Sequence, residues 1–283
     1  MLGAALAATA PGGEIIVLDS AGYGPMLIDK PVSIVAPAGV YAGISVPSGH
    51  GIDVAAGAGK VVLRGLAING LGGDIGVNFI SGDALYVENC VISGFTNTGL
   101  NAIASTSASV YVRNSTIRDN FNGAFFGMTS GAAGSLQAHI EGSAFENNAS
   151  VGIGFTGWGV GSATIANSIL TGGMWGLYLN PVGGAIAKVE MRGATIARNS
   201  ASGVRVAGIA GTTAALNLVS SLVAENGIGI EMLTGGTAYV SDTTITRNAT
   251  GITHGAGSVV SLTDNRLTNN GVNGTFTTTT SKQ

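Results

Sequence analysis

Glu88, Arg113, His139 and Glu141 are the side chains of this 283-residue sequence whose types could do chemistry together. Two carboxylates flanking a glycosidic bond can divide general-acid and general-base work, and a histidine or arginine beside them can move a proton or hold a charge. Tyr86, Tyr111 and His139 could place aromatic rings under a sugar, with Arg113 as a neighbouring cation. The spacing ties the two sets together. Glu88, Arg113 and Glu141 each follow Tyr86, Tyr111 and His139 by two residues, so in strands both members of each pair point the same way.

Other motifs carry less. "GIGFTG" at Gly152, Gly154 and Gly157 matches a dinucleotide fingerprint but lies in a strand-and-turn pattern and opens no helix. "GAGKV" around Lys60 lacks the upstream glycine and the following Ser or Thr of a phosphate loop. "GLGGDIGVN" around Asp74 resembles a calcium-binding nonapeptide, but it occurs once, and such sites work as stacks. His50, His139 and His254 are too dispersed to form a metal set by spacing, so no metal or other cofactor is expected. Cys90 is the single cysteine and can form no internal disulfide. The sequons at Asn114, Asn148, Asn248 and Asn273 follow from turn composition.

The elements that position these residues come from a repeat. Aligning "GLAI", "NCVI", "NSTI", "GSAF", "NSIL", "GATI", "SSLV", "DTTI" and "DNRL" puts apolar anchors at Ile68, Ile92, Ile117, Phe145, Leu170, Ile196, Val223, Ile245 and Leu267, 22 to 28 residues apart. Five residues before each anchor stand Leu63, Val87, Val112, Ile140, Ile165, Met191, Leu218, Val240 and Leu262. Seven before stand Val61, Leu85, Val110, Ala138, Ala163, Val189, Leu216, Ala238 and Val260. The alternation is that of a strand with one buried face. A further strand follows as "GVNF", "GLNA", "GIGF", "GLYL", "GVRV" and "GIEM", giving about three short strands per rung. His254 falls in an apolar column of that strand and is expected in the interior. Three residues past the anchor Asn recurs at 120, 148, 199, 226, 248 and 270, a type suited to left-handed turns and stacked amides. Two before it, Cys90 joins a small-residue column with Ser115, Ser143, Ser168, Ala194, Ser221 and Thr243, so it is expected to be a stacked interior residue.

Charge supports a ladder. Arg64, Glu88, Arg113 and Glu141 alternate in sign from rung to rung, as do Arg198, Glu225 and Arg247. Arg118 is expected to meet Glu146, and Arg205 to meet Glu231. Opposite charges one rung apart disfavour a slip in register. Glu88 and Glu141 stand two rungs apart, roughly 9 to 10 Å, near the upper limit for an inverting pair. A net charge of -3 from 12 basic and 15 acidic residues gives no basic stripe, which argues against nucleic acid as a partner. No stretch is long and apolar enough to span a bilayer as a helix. The opening "MLGAALAATAPGGE" has no basic segment and reads as a cap over an open coil end rather than as a signal peptide.

The repeat, its turn residues and this opening followed by "EIIVLDSAGYGPMLIDKPVSIVAP" resemble the right-handed parallel β-helix family of pectate-lyase-like solenoids. The resemblance implies an all-β fold: one right-handed parallel β-helix of 10 to 11 rungs, with a helical cap at 1–13, the solenoid at 14–272 and a tail at 273–283. It implies an extracellular or periplasmic location, and a polysaccharide or cell-envelope surface as partner. Oligomeric state stays open. The charge ladder and the short turns, "SGD", "STSAS", "GVGS", "VGGA" and "TGGT", favour a non-catalytic scaffold or binding module with Tyr86, Tyr111, Arg113 and His139 at its surface. The alternative is a polysaccharide lyase or glycoside hydrolase using Glu88, Arg113, His139 and Glu141.

Overall fold

The computed structural model describes residues 2–55, 57, 59–208 and 211–281, which leaves Met1 of the expected cap and Lys282 and Gln283 of the expected tail outside the described residues. Three sheets of 12, 11 and 10 strands run the length of the coil. Each strand pairs in parallel with its counterpart one turn earlier and one turn later. Ala84–Glu88, for example, lies between Lys60–Arg64 and Ala108–Arg113. The chain climbs by about ten such turns. A short helix, Leu2–Ala8, closes the amino-terminal end with Leu2 and Leu6, one turn apart, buried against the first coil.

The core follows the predicted columns. The anchors from Ile68 to Ile245 are fully buried in the second sheet, and Leu85, Val87, Val110 and Val112 point inward from the first. Each fully buried Val, Leu, Ile or Phe contributes on the order of 1.5–3 kcal/mol, and every turn adds several. The last rung departs from the expectation. Ala238 pairs with Val259 and Val240 with Ser261, so Val259 and Ser261, not Val260 and Leu262, continue the inward columns. The following turn holds one more residue than its predecessors, and its left-handed position moves to Thr263 at φ 73°. The anchor Leu267 still aligns with Ile245.

Two left-handed corners shape each coil. Asn89, Asn114 and Asn167 occupy one of them and Asp119, Asn147, Arg198, Glu225, Arg247 and Asn269 the other, all at φ 48–59°. The recurrent Asn column is therefore not itself left-handed; it sits one residue past the second corner. Its side chains, buried from Asn120 to Asn248 and half-buried at Asn270, bridge the coils. Asn199 Nδ2 donates to Asn226 Oδ1 at 3.0 Å, Asn226 Nδ2 to Asn248 Oδ1 at 2.9 Å, and Asn248 Nδ2 to Asn270 Oδ1 at 2.9 Å. Next to this column the coils touch backbone to backbone: a Cβ on Gly176 would lie 2.7 Å from the Gly203 carbonyl oxygen. The small-residue column makes a second ladder, with backbone N–H groups of Cys90, Ser115 and Ser143 donating to the hydroxyls of Ser115, Ser143 and Ser168.

Candidate functional site

The outward face of the first sheet gathers the predicted residues. Register stacks Val62, Tyr86, Tyr111, His139, Thr164, Glu190, Asn217 and Tyr239 in one column, one residue per coil. Tyr86 and Tyr111 lie 4.4 Å apart between ring centroids at 9°, and Tyr111 and His139 4.9 Å apart at 15°. Lys60 and Arg113 approach the two tyrosine rings at 5.8 and 5.3 Å. His139 Nδ1 lies 2.9 Å from Thr164 Oγ1. The three rings thus spend their faces on one another. Tyr111 in particular is sandwiched and cannot lie flat under a sugar. Burial, reinforced by the Tyr111 phenol, raises the Tyr86 hydroxyl above its ordinary pKa, which keeps it a neutral hydrogen-bonding group.

The neighbouring column is a charge ladder with one gap. Arg64 Nη2 lies 2.6 Å from Glu88 Oε2, and Arg113 Nη1 lies 3.4 Å from Glu88 Oε1. Glu88 is clamped between two cations. Arg113 faces Glu141 in register but does not pair with it, and the Glu141 carboxylate makes no ion pair among the described residues. The space between the two carboxylates holds a guanidinium, not room for a hydrolytic water. Elsewhere Arg198 and Arg247 both grip Glu225, at 2.9 and 3.0 Å, and their hydrogen bonds hold its carboxyl below the usual range. Arg205 meets Glu231 at 2.8 Å as expected. Arg118 instead pairs with Asp119, its chain neighbour, rather than with Glu146. Asp119 is the left-handed corner residue, which turns its carboxylate back toward Arg118.

Past His139 the same face opens. Three adjoining depressions of about 400, 400 and 490 Å³ run along the coil from Tyr111 to Tyr239. The predicted stack forms one end wall, and Tyr239, 44% exposed, forms the other. Four coils separate His139 from Tyr239, about 19 Å at ~4.8 Å per coil. The floor is made of short side chains, Ser162, Thr164, Ala215 and Asn217. Glu190 stands in the middle, exposed, between Lys188 and Arg192 on the same strand. The structure therefore moves the accessible surface toward the carboxy-terminal end of the predicted patch. Lys188 and Asn217 are the additions. Their positions follow from the two-residue alternation, but neither belongs to a run of aromatic or alternating charged neighbours that would mark it.

"GIGFTG" is strand 151–157, with no helix after it. His254 is exposed, a correction to the interior expectation: it keeps register with Met232 but ends the last strand of the third sheet, so no further strand of that sheet stacks over it. Cys90 is buried, and burial pushes its thiol up to about 11. At pH 8 the native protein is expected to leave a disulfide reagent unreacted, and one thiol to appear on adding denaturant. Full reaction without denaturant would contradict this packing.

Residues 159–283 match the family model described as right handed beta helix region. No curated protein matches the chain in sequence. Among solved structures, pectate lyase Pel9A superposes with a TM-score of 0.65 over 93% of this chain and 72% of its own, at 15% identity. Tailspike protein 2 from Escherichia coli O157:H7 bacteriophage CAB120 superposes with a TM-score of 0.52 over 89% of this chain, at 12% identity. This chain spans 35% of the tailspike. At these identities the likeness is one of fold. Parallel sheets at every step, a matching family model and a pectate lyase neighbour together make the protein a right-handed parallel β-solenoid with the pectate-lyase-like fold.

Proposed function

We propose that the protein is a non-catalytic binding module that holds a polysaccharide in the groove between His139 and Tyr239, outside the cytoplasm. The observation that carries this is the groove itself: a floor of short side chains, most of them polar, about 19 Å long, walled by a ring stack at one end and an exposed tyrosine at the other. A flat polymer of hydroxylated rings matches such a floor, because short side chains let sugar hydroxyls reach Thr164 and Asn217 while Tyr239 offers an open ring face. Arg113, Lys188 and Arg192 set the rim charge. The fold neighbours, a pectate lyase and a phage tailspike, support a polysaccharide as the ligand and do not choose between binding and cleavage. Glu190, an exposed carboxylate between two cations, favours a second reading as a lyase or glycosidase.

Binding and chain cleavage should be measured on a panel of acidic and neutral polysaccharides. Binding without cleavage is expected, with Tyr239→Ala lowering affinity about tenfold or more and Tyr41→Ala, far along the coil, leaving it unchanged. Cleavage abolished by Glu190→Gln, Glu141→Gln or Glu88→Gln would establish the enzyme instead. No binding to any polysaccharide would remove the proposal.

A further inference from the structure

The outward face of the third sheet carries a patch of its own, away from the groove. Its strands Thr98–Ala104, Asn122–Met128, Val151–Gly157 and Trp175–Pro181 hold no charged residue. Phe121 and Met174 stand 52% and 41% exposed where the chain enters this sheet, and Phe125, Trp175 and Tyr178 are half-buried on it. Trp175 stacks on Tyr178 with ring centroids 5.0 Å apart, and the Arg205 guanidinium lies 5.1 Å over the indole. Glu231, 2.8 Å from Arg205, cancels that charge. Aromatic rings, methionine and a neutralised arginine are the composition of the buried centre of a protein interface. The order of residues from coil to coil says what covers it.

Register gives one outward column as Asn101, Phe125, Gly154, Tyr178, Arg205 and Glu231, one residue per coil. Turned end for end about the midpoint between Gly154 and Tyr178, this column fits itself. Tyr178 comes to Gly154, Arg205 to Phe125 and Glu231 to Asn101: a ring meets a position without a side chain, a cation meets a ring, and a carboxylate meets an amide. Phe125 leans over Gly154, where a Cβ would lie 2.2 Å from its ring, so Tyr178 lands on an aromatic floor. The corner beside the sheet repeats the fit. Backbone hydrogen bonds stack Phe121, Ser150, Met174 and Ala201 there, and the same reversal sets Met174 against Ser150 and Phe121 against Ala201. We propose that two copies of this chain pair antiparallel through this face, about a twofold axis lying along the strands between the coils of Gly154 and Tyr178. From Asn78 to Thr253 the face runs seven coil steps. That is about 34 Å by a width of about 15 Å, so the two copies together cover about 1,000 Å², the low end for a specific interface. The dimer therefore forms in the micromolar range. None of these residues lines the groove, which stays open.

The test is sedimentation equilibrium of the full chain across the micromolar range, where a monomer in exchange with a dimer is expected. Phe121→Ser and Met174→Ser change side chains exposed in the single chain and should each weaken association about tenfold, Tyr178→Ala about thirtyfold. Circular dichroism reports whether each variant is folded, and Tyr239→Ala, in the groove, should leave association unchanged. Orientation is read by cross-linking. Asn101→Cys mixed with Thr253→Cys should be joined by a short bis-maleimide, because the reversal brings them within one coil step of each other. Neither should join to itself, since two copies of Asn101 lie five coil steps apart, about 24 Å, and two of Thr253 further still. Cys90 is buried and does not compete. A monomer at every concentration, a dimer untouched by all three substitutions, or Asn101→Cys cross-linked to itself would overturn the pairing. So would a chain that stays monomeric while the same substitutions lower its affinity for a polysaccharide, which would make the face a sugar platform instead.

Discussion

Asn226→Ala is expected to destabilise the coil by about 2–4 kcal/mol, although the substitution removes no apolar contact of note. Asn226 is buried, and all the hydrogen-bonding capacity of its amide is engaged with adjacent coils. Its Oδ1 accepts from both the backbone N–H and the Nδ2 of Asn199, each at 3.0 Å; its Nδ2 donates to Asn248 Oδ1 at 2.9 Å and to the Ile196 carbonyl at 3.1 Å. Alanine leaves the Asn199 backbone N–H buried without a partner, which costs more than the net value of the bond it made. Asn226→Asp should be worse at neutral pH than at low pH, because an ionised carboxylate cannot donate to Asn248 Oδ1. Its stability should rise as the carboxyl becomes protonated. Thermal and denaturant unfolding of the two variants at pH 7 and pH 4 would decide. Equal stability of Asn226→Ala and wild type would show that the amides stack without holding the coils together.

The repeat was legible because burial alternates with strict period two and returns every 22 to 28 residues, so one aligned anchor places a whole column. The same logic placed Tyr86, Tyr111 and His139 on one face, and the structure stacks them. Pairing within a column was less legible. Register put Arg113 equally between Glu88 and Glu141 and put Arg118 against Glu146, yet long side chains choose by rotamer, and each arginine took the nearer or better-aligned carboxylate. Which residue carries the left-handed corner was missed by one position, since Arg198, Glu225 and Arg247 are poor formers of that conformation and are held there at a cost of about 1–2 kcal/mol by the coils around them. Ring faces were illegible for a simpler reason: residues one coil apart always look like a platform in sequence, and at ~4.8 Å spacing they cover one another.

Phe145→Ala is expected to have the larger effect, about 3–5 kcal/mol, and an uneven one. Phe145 is fully buried and is the one aromatic anchor in the column, between Ile117 and Leu170. In a coil each turn touches its neighbours alone, so the cavity weakens the contacts of 116–118 and 169–171 before those of distant coils. A single unfolding free energy is a poor measure of such a chain, and amide hydrogen exchange is the better one. Protection should fall first in 135–146 and in the strands flanking it, while the coils around Val32–Val46 stay protected. His139 and Glu141 belong to that weakened turn, so the end wall of the groove should loosen and any polysaccharide affinity should fall without a change at the groove surface. Phe145→Leu, which installs the residue that Leu170 already supplies in the next coil, should restore most of both losses. Uniform loss of protection from end to end would mean that the solenoid opens as one cooperative unit, and then a change anywhere in the core would reach the groove as strongly as this one.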